Sequence, residues 1–249
     1  VRDEDVALIE LEKLKTEAPP EALAGLERLM DERAARREGA RASLSEAITE
    51  EALEEFRQLF REAVEEATRK RRRRKKRGDD GSEDSDEGRT TSFRAAGRVI
   101  ILKSWDELAE LSRSLYRPRK TRRLHEMRIA AKRLRYALEL FAPCWDGATK
   151  AFAEEVAELQ GALGELHDCD EWIEEWGARL AEKVNAEEKH DETGEAEDEV
   201  RAPARAAGVW LLGHFAEARA RHYRQALVLW HEWERGDFAA RLAACLEAD

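Results

Sequence analysis

The sequence predicts an all-α protein of antiparallel helical bundles, on three observations. The chain is rich in Ala, Glu, Leu and Arg and carries only 5 prolines in 249 residues, a composition that favours helix over strand. Apolar residues recur at spacings of three and four in segment after segment, the rhythm of helices that pack along one side. The prolines and the Asp146-Gly147 pair stand between those segments, where one helix stops and the next begins.

Taken in order, Val1 to Lys15 reads as a helix with Val6, Ile9, Leu11 and Leu14 inward, ended by Pro19-Pro20. Residues 21–47 read as a long helix with Leu23, Leu26, Leu29 or Met30, and Leu44 on its seam, and with Arg33, Arg36, Arg37 and Arg41 on its far part. Thr49 is placed to cap an amphipathic helix that runs to Ala67 through Leu53, Phe56, Leu59, Phe60 and Val64. The character then changes: Arg69 to Arg77 is nine consecutive cations, and Gly78 to Gly88 holds six acids. A block of one charge followed by its opposite cannot bury apolar surface. Residues 69–91 are therefore expected to be a charged linker between a first helical repeat, 1–68, and a second, 92–249. The basic block can also attract polyanions without sequence preference.

Phe93, Val99, Ile100, Ile101, Leu102, Trp105, Leu108, Leu111 and Leu115 open the second repeat as one or two helices, and Tyr116-Arg117-Pro118 breaks them. Leu124 to Phe141 is the next helix. Beyond Pro143 and Asp146-Gly147, Ala148 to about Leu166 returns antiparallel to it, with Phe152, Val156, Leu159 and Leu163 inward. Trp172, Ile173, Trp176 and Leu180 carry a further helix, and eight acids between 186 and 200 mark an acidic loop at about 186–202. The last long helix spans Ala204 to about Trp233, with a short tail around Phe238 and Leu242. The seven tryptophans sit at helical spacing and read as core rather than as base-stacking platforms.

The chemistry concentrates on one helix. Between Arg113 and Arg135 ten Arg or Lys residues face one acid, Glu126, a local charge of +9 in a chain whose net charge is −11. Leu124, Met127, Ala131, Leu134, Leu138 and Phe141 fall on one stripe of the Leu124–Phe141 helix. His125, Arg128, Lys132 and Arg135 follow the same rhythm about 110° round the cylinder. One face packs and its neighbour presents cations. Stacked like charges cost a helix a few tenths of a kcal/mol per pair, so an external anion is the natural compensation. Guanidinium forks bind phosphate oxygens bidentately, lysine adds a point charge, and histidine is recruited by protonation.

His125-x-x-Arg128-x-x-x-Lys132-Arg133-x-Arg135-Tyr136, followed by Leu159-Gln160-x-x-Leu163-Gly164-x-x-x-Asp168-x-Asp170, resembles the second half of a CHAD domain, the conserved-histidine α-helical domain. The resemblance implies an all-α, two-repeat helical fold with a basic surface that binds inorganic polyphosphate. It also suggests an internal repeat: Arg2-Asp3-x-Asp5 resembles His167-Asp168-x-Asp170, and Glu32 and Leu44 then pair with Glu217 and Leu229. Such Asp-x-Asp pairs equally suit turn or helix-start chemistry. Set against the family, the chain begins beyond the basic helix of the first repeat, which a second chain could supply.

The expected polyphosphate contacts are His125, Arg128, Lys132 and Arg135. Arg133, Arg122 and Arg123 are secondary, and Arg36, Arg221 and Arg224 are further cations of the same groove. Gln160 is placed to orient a phosphate oxygen. Six histidines include no HxxxH or HExxH pair, no phosphate-binding glycine loop occurs, and no Ser or Cys stands in a nucleophile context. His167-Asp168 is a weak trace of metal phosphohydrolase chemistry. The reading is a non-catalytic binder with no metal or other cofactor. Three scattered cysteines and the absence of any run near 18 apolar residues suggest a cytoplasmic protein with no membrane partner, and the family resemblance implies a place at polyphosphate granules. The alternative is a scaffold for nucleic acid or protein that uses Arg69–Arg77; nucleic acid is the less favoured partner.

Overall fold

The computed structural model describes residues 1–77, 93–187 and 195–248, and among these the regular elements are all helical. Two compact units divide the chain, Val1–Thr90 and Thr91–Asp249.

In the first unit α1 (Arg2–Lys15) and α2 (Pro20–Ala47) form an antiparallel hairpin. Ala7, Leu11 and Leu14 face Ala22, Leu26 and Leu29 across a narrow seam. Val6 and Ile9, expected inward, are 56% and 59% exposed, because the buried positions of α1 follow the 7-11-14 stripe. Leu44 is likewise exposed, as the distal half of α2 runs beyond α1. Arg33 is buried because its Nη1 donates to Glu4 Oε2 at 3.0 Å, and Arg37 Nε donates to Asp5.

Helix α3 (Glu50–Arg77) starts on the expected cap, Thr49 Oγ1 accepting the Ala52 N–H at 3.2 Å. It continues through the basic block to Arg77 rather than stopping at Ala67. Arg and Lys are good helix formers, and cations at a helix C-terminus complement its dipole. Residues 78–92, which include the rest of the expected linker, lie outside the described residues. The stripe Leu53, Phe56, Leu59, Phe60 and Val64, expected inward, is exposed along its length.

The second unit holds α4 (Phe93–Leu111), a 3-10 turn at Ser112–Tyr116, α5 (Thr121–Phe141), a second 3-10 turn at Ala142–Trp145, α6 (Lys150–Glu187), α7 (Glu195–Arg235) and α8 (Phe238–Glu247). Consecutive long helices pack on one another, α4 on α5, α5 on α6 and α6 on α7. The whole expected apolar stripe of α5 is buried, with Ala130 and Ala137 beside it. It meets Ile101 and Leu108 of α4 and Val156, Leu159 and Leu163 of α6, and Trp230, Trp233 and Phe238 close the far end. Trp145, Trp176, Trp230 and Trp233 are core as expected, whereas Trp105, Trp172 and Trp210 are half-buried; Trp105 lies within 6.2 Å of Trp230, Trp233 and Phe238, centroid to centroid. The α5–α6 turn is the predicted Asp146-Gly147, both with positive φ, and the buried Thr149 hydroxyl donates to the Leu138 carbonyl at 3.0 Å.

In this unit two further boundaries differ from those expected. The segment read as two helices around Leu166 and Trp172 is one helix of 38 residues, α6. His167-Asp168-x-Asp170 is therefore mid-helix, not a turn or a helix start; Asp170 is tolerated there because Arg219 of α7 pairs with it. Part of the segment expected to be an acidic loop is helical, since α6 runs to Glu187 and α7 begins at Glu195, carrying Pro203 inside it. Residues 188–194 lie outside the described residues.

Close packing of α4 on α5 gives a test. A Cβ on Gly97 would stand 2.7 Å from Cγ and Cδ1 of the buried Phe141 ring, whereas one on Gly161 meets nothing within 4 Å. Gly97→Ala should lower stability by about 1–3 kcal/mol, and Gly161→Ala should raise it by up to about 1 kcal/mol, both read by urea unfolding.

Candidate anion-binding site

The buried stripe of α5 fixes the direction in which its polar side chains leave the helix. Arg128 and His125 are half-buried, and Lys132 is exposed. Among the described residues no carboxylate lies within 4.0 Å of the charged groups of Arg128 or Lys132. Arg128 lies along α6 beside Gly164, where a Cβ would stand 3.6 Å from its Nε, an ordinary van der Waals distance. Arg135 has its Nε 3.4 Å from Glu139 Oε1 one turn on, a contact without hydrogen-bond geometry, since that Nε is buried and lacks a partner. Arg135 and Lys132 both lie over the exposed Tyr136 ring, at 4.9 and 5.7 Å from its centroid. An aromatic face holds two cations in place without consuming their N–H donors.

At the N-terminal end of the strip, His125 meets His167 of α6, ring centroids 4.1 Å apart and tilted by 51°. His125 Nδ1 is buried without a hydrogen-bond partner, as is Gln160 Oε1 farther along α6. Burial, then the charges of His167 and Arg128, push the His125 imidazole below its ordinary value of 6.5. His167 Nε2 lies 3.2 Å from Glu171 Oε1.

The other expected cations divide. Arg133 leaves the opposite side of α5, where Nη1 donates to Glu107 of α4 at 2.6 Å. Arg122 and Arg123 share Glu126, at 3.3 and 2.8 Å, so the entrance to α5 keeps a net positive charge. Arg36 belongs to the first unit and lies 3.5 Å from Glu4. Arg221 and Arg224 are exposed on α7, which packs on α6, with no carboxylate within 4.0 Å among the described residues.

Two residues outside the expected set shape the site. Tyr136 was legible in the motif, and its i+4 spacing from Lys132 signals the ring contact. His167 could be found only by laying α6 antiparallel to α5, which sets 167 beside 125 and 164 beside 128. A nucleophile is not evident: the buried Cys169 thiol is pushed up to about 11 by burial and by Glu165, Asp168 and Asp170. Among the described residues no group of three or more His, Cys, Asp or Glu side chains could hold a metal ion. Nor is any described helix long and apolar enough to cross a membrane.

The same ion pair occurs in both units. The second Asp of each Asp-x-Asp takes an Arg from the helix packed antiparallel, Arg37 to Asp5 and Arg219 to Asp170, the latter at 2.5 Å. The expected pairing of Glu32 with Glu217 would set Arg219 against Ala34, so these arginines are offset by three residues, nearly one turn. Arg219 Nη2 also donates to the Pro118 carbonyl at 2.6 Å, which ties the entrance of α5 to α7. Arg219→Met leaves a mostly buried Asp170 unpaired and should cost about 1–3 kcal/mol in denaturant unfolding.

No curated protein and no solved structure matches the chain. The family model described as CHAD domain does match, over residues 1–177, more than half of the sequence and inclusive of α5 and the His125–Asp170 motif. The chain belongs to the CHAD domain family.

Proposed function

We propose that this chain binds inorganic polyphosphate along the outer face of α5 and does so without turning it over. One observation carries the reading: Arg128 and Lys132 stand on a rigidly packed helix with no carboxylate within 4.0 Å among the described residues. Many of the arginines elsewhere are matched by acids, Arg33 by Glu4, Arg219 by Asp170 and Arg241 by both oxygens of Glu155. In a chain with 55 acids and 44 Arg and Lys, a strip left uncompensated is a place for an external anion.

A linear polyphosphate suits such a strip better than a single phosphate does. Its charges repeat along the chain, so contacts at Arg128, Lys132 and Arg135 act together and gain avidity. Arg122 and Arg123 extend the strip at one end, and Arg221 and Arg224 offer cations on the next helix but one. Arg36 and Arg133 drop in rank, because Glu4 and Glu107 already occupy them. The role that follows is recruitment to polyphosphate stores in the cytoplasm.

Lys132→Glu with Arg135→Glu should abolish retention on immobilised long-chain polyphosphate while helicity stays unchanged; full retention would refute the assigned face. Arg133→Ala should leave retention near that of the parent chain. Binding should weaken steeply between low and moderate salt. Deleting residues 69–88 should change little, and loss of most of the binding would instead favour a scaffold that uses Arg69–Arg77.

A further inference from the structure

We infer that His167 of α6 is a second imidazole of the anion site and that the His125–His167 pair takes up a proton when polyphosphate docks. This rests on the polyphosphate reading above and adds to it a contacting residue and a dependence on pH.

The argument begins with distance. Two rings with centroids 4.1 Å apart cannot both be protonated without strong repulsion, and Arg128 beside them adds a third positive charge. The charged and titratable groups that face His125 are Arg128 and Glu126 on its own helix and His167 and Glu171 on α6. Among the described residues, the other elements packed on α5 bring no opposing charge to this end. Glu107 of α4 is engaged by Arg133, and the Ser112–Tyr116 turn reaches α5 through the Ser114 hydroxyl at the Met127 sulfur. Glu126 is already shared between Arg122 and Arg123. Glu171 Oε1 stands 3.2 Å from Nε2 of His167, but its side chain is 68% exposed and screened by water.

In the free protein the pair is thus short of protons for its position among phosphate ligands. A phosphate oxygen set between Arg128 and the two rings reverses the balance, since it stabilises the imidazolium that the neighbouring cations oppose. Binding then draws a proton from solvent, and by linkage affinity rises as pH falls. The internal groups of long-chain polyphosphate are strong acids, so the ligand's own charge changes little across this range.

The sign of the stability effect follows. With its folded value held below 6.5, His125 leaves the unfolded chain binding the extra proton first. The free protein loses stability as pH falls below about 6.5, and polyphosphate restores it.

The test is calorimetric titration of the full chain with long-chain polyphosphate at pH 5.5, 6.5 and 7.5, in buffers of different ionisation enthalpy. The expected result is net proton uptake and an affinity that tightens toward pH 5.5 by up to about tenfold per pH unit for each proton bound. His167→Gln should bind fewer protons and flatten the pH profile while the salt dependence set by Arg128, Lys132 and Arg135 persists. His167→Arg, with a fixed charge, should bind nearly as well at pH 7.5 as the parent does at pH 5.5. NMR titration of the imidazoles in the unaltered chain, with and without polyphosphate, gives the same answer independently of any variant. Binding that is equal at all three pH values, or a His167→Gln profile like the parent's, overturns the inference and leaves the polyphosphate reading standing. No binding at any pH overturns both.

Discussion

The second unit depends on the burial of one stripe of α5. Leu124, Met127, Ala131, Leu134, Leu138 and Phe141 are all within 4% of complete burial, packed between α4 and α6. A helix held so firmly cannot rotate to spread its charges, and the adjoining face must therefore carry Arg128, Lys132 and Arg135 as a fixed row. Core packing tolerates a repulsion that would unsettle an isolated helix, because each like-charge pair costs only a few tenths of a kcal/mol whereas each buried leucine contributes about 1.5–3 kcal/mol. The row of cations on which the proposed anion binding relies is in this sense built into the fold.

How the remaining cations are handled gives the strip its contrast. Arg33, Arg36 and Arg37 of α2 meet Glu4 and Asp5 of α1, and Arg219 meets Asp170. These pairs fasten helices to one another and leave little charge for a ligand. Lys132 and Arg135 lie over the face of Tyr136, which restrains their positions without taking up an N–H, and Arg135 has Glu139 in addition, 3.4 Å from its Nε. His125 and His167 meet ring to ring at the end of the row, beside these permanent charges. The arrangement has the features a polyanion site requires in principle: a rigid backbone, spaced point charges and few competing acids.

Much of this could be read from the amino-acid sequence, for identifiable reasons. The stripe of α5 and its cationic neighbour follow from 3.6-residue periodicity, which a long helix enforces, and the Asp146-Gly147 turn follows from the tolerance of both residues for positive φ. The cap at Thr49 is local chemistry and equally legible. What stayed hidden depends on contacts between helices. Nothing local says that Arg133 would find Glu107 twenty-six residues away, or that Arg36 would find Glu4. The unbroken run of α6 through Asp168 and Asp170 was misread because aspartate usually favours helix ends, and its partner Arg219 lies forty-nine residues on. His167 was visible only as a dipeptide with Asp168 until the antiparallel register set it against His125.

The central claim is that the uncompensated face of α5 is where polyphosphate lies. Crystals of the full chain grown with a short linear polyphosphate test it most directly. The account predicts phosphate groups in a row within hydrogen-bond distance of Arg128, Lys132 and Arg135; an empty α5 face with the anion ordered on Arg69–Arg77 would contradict it.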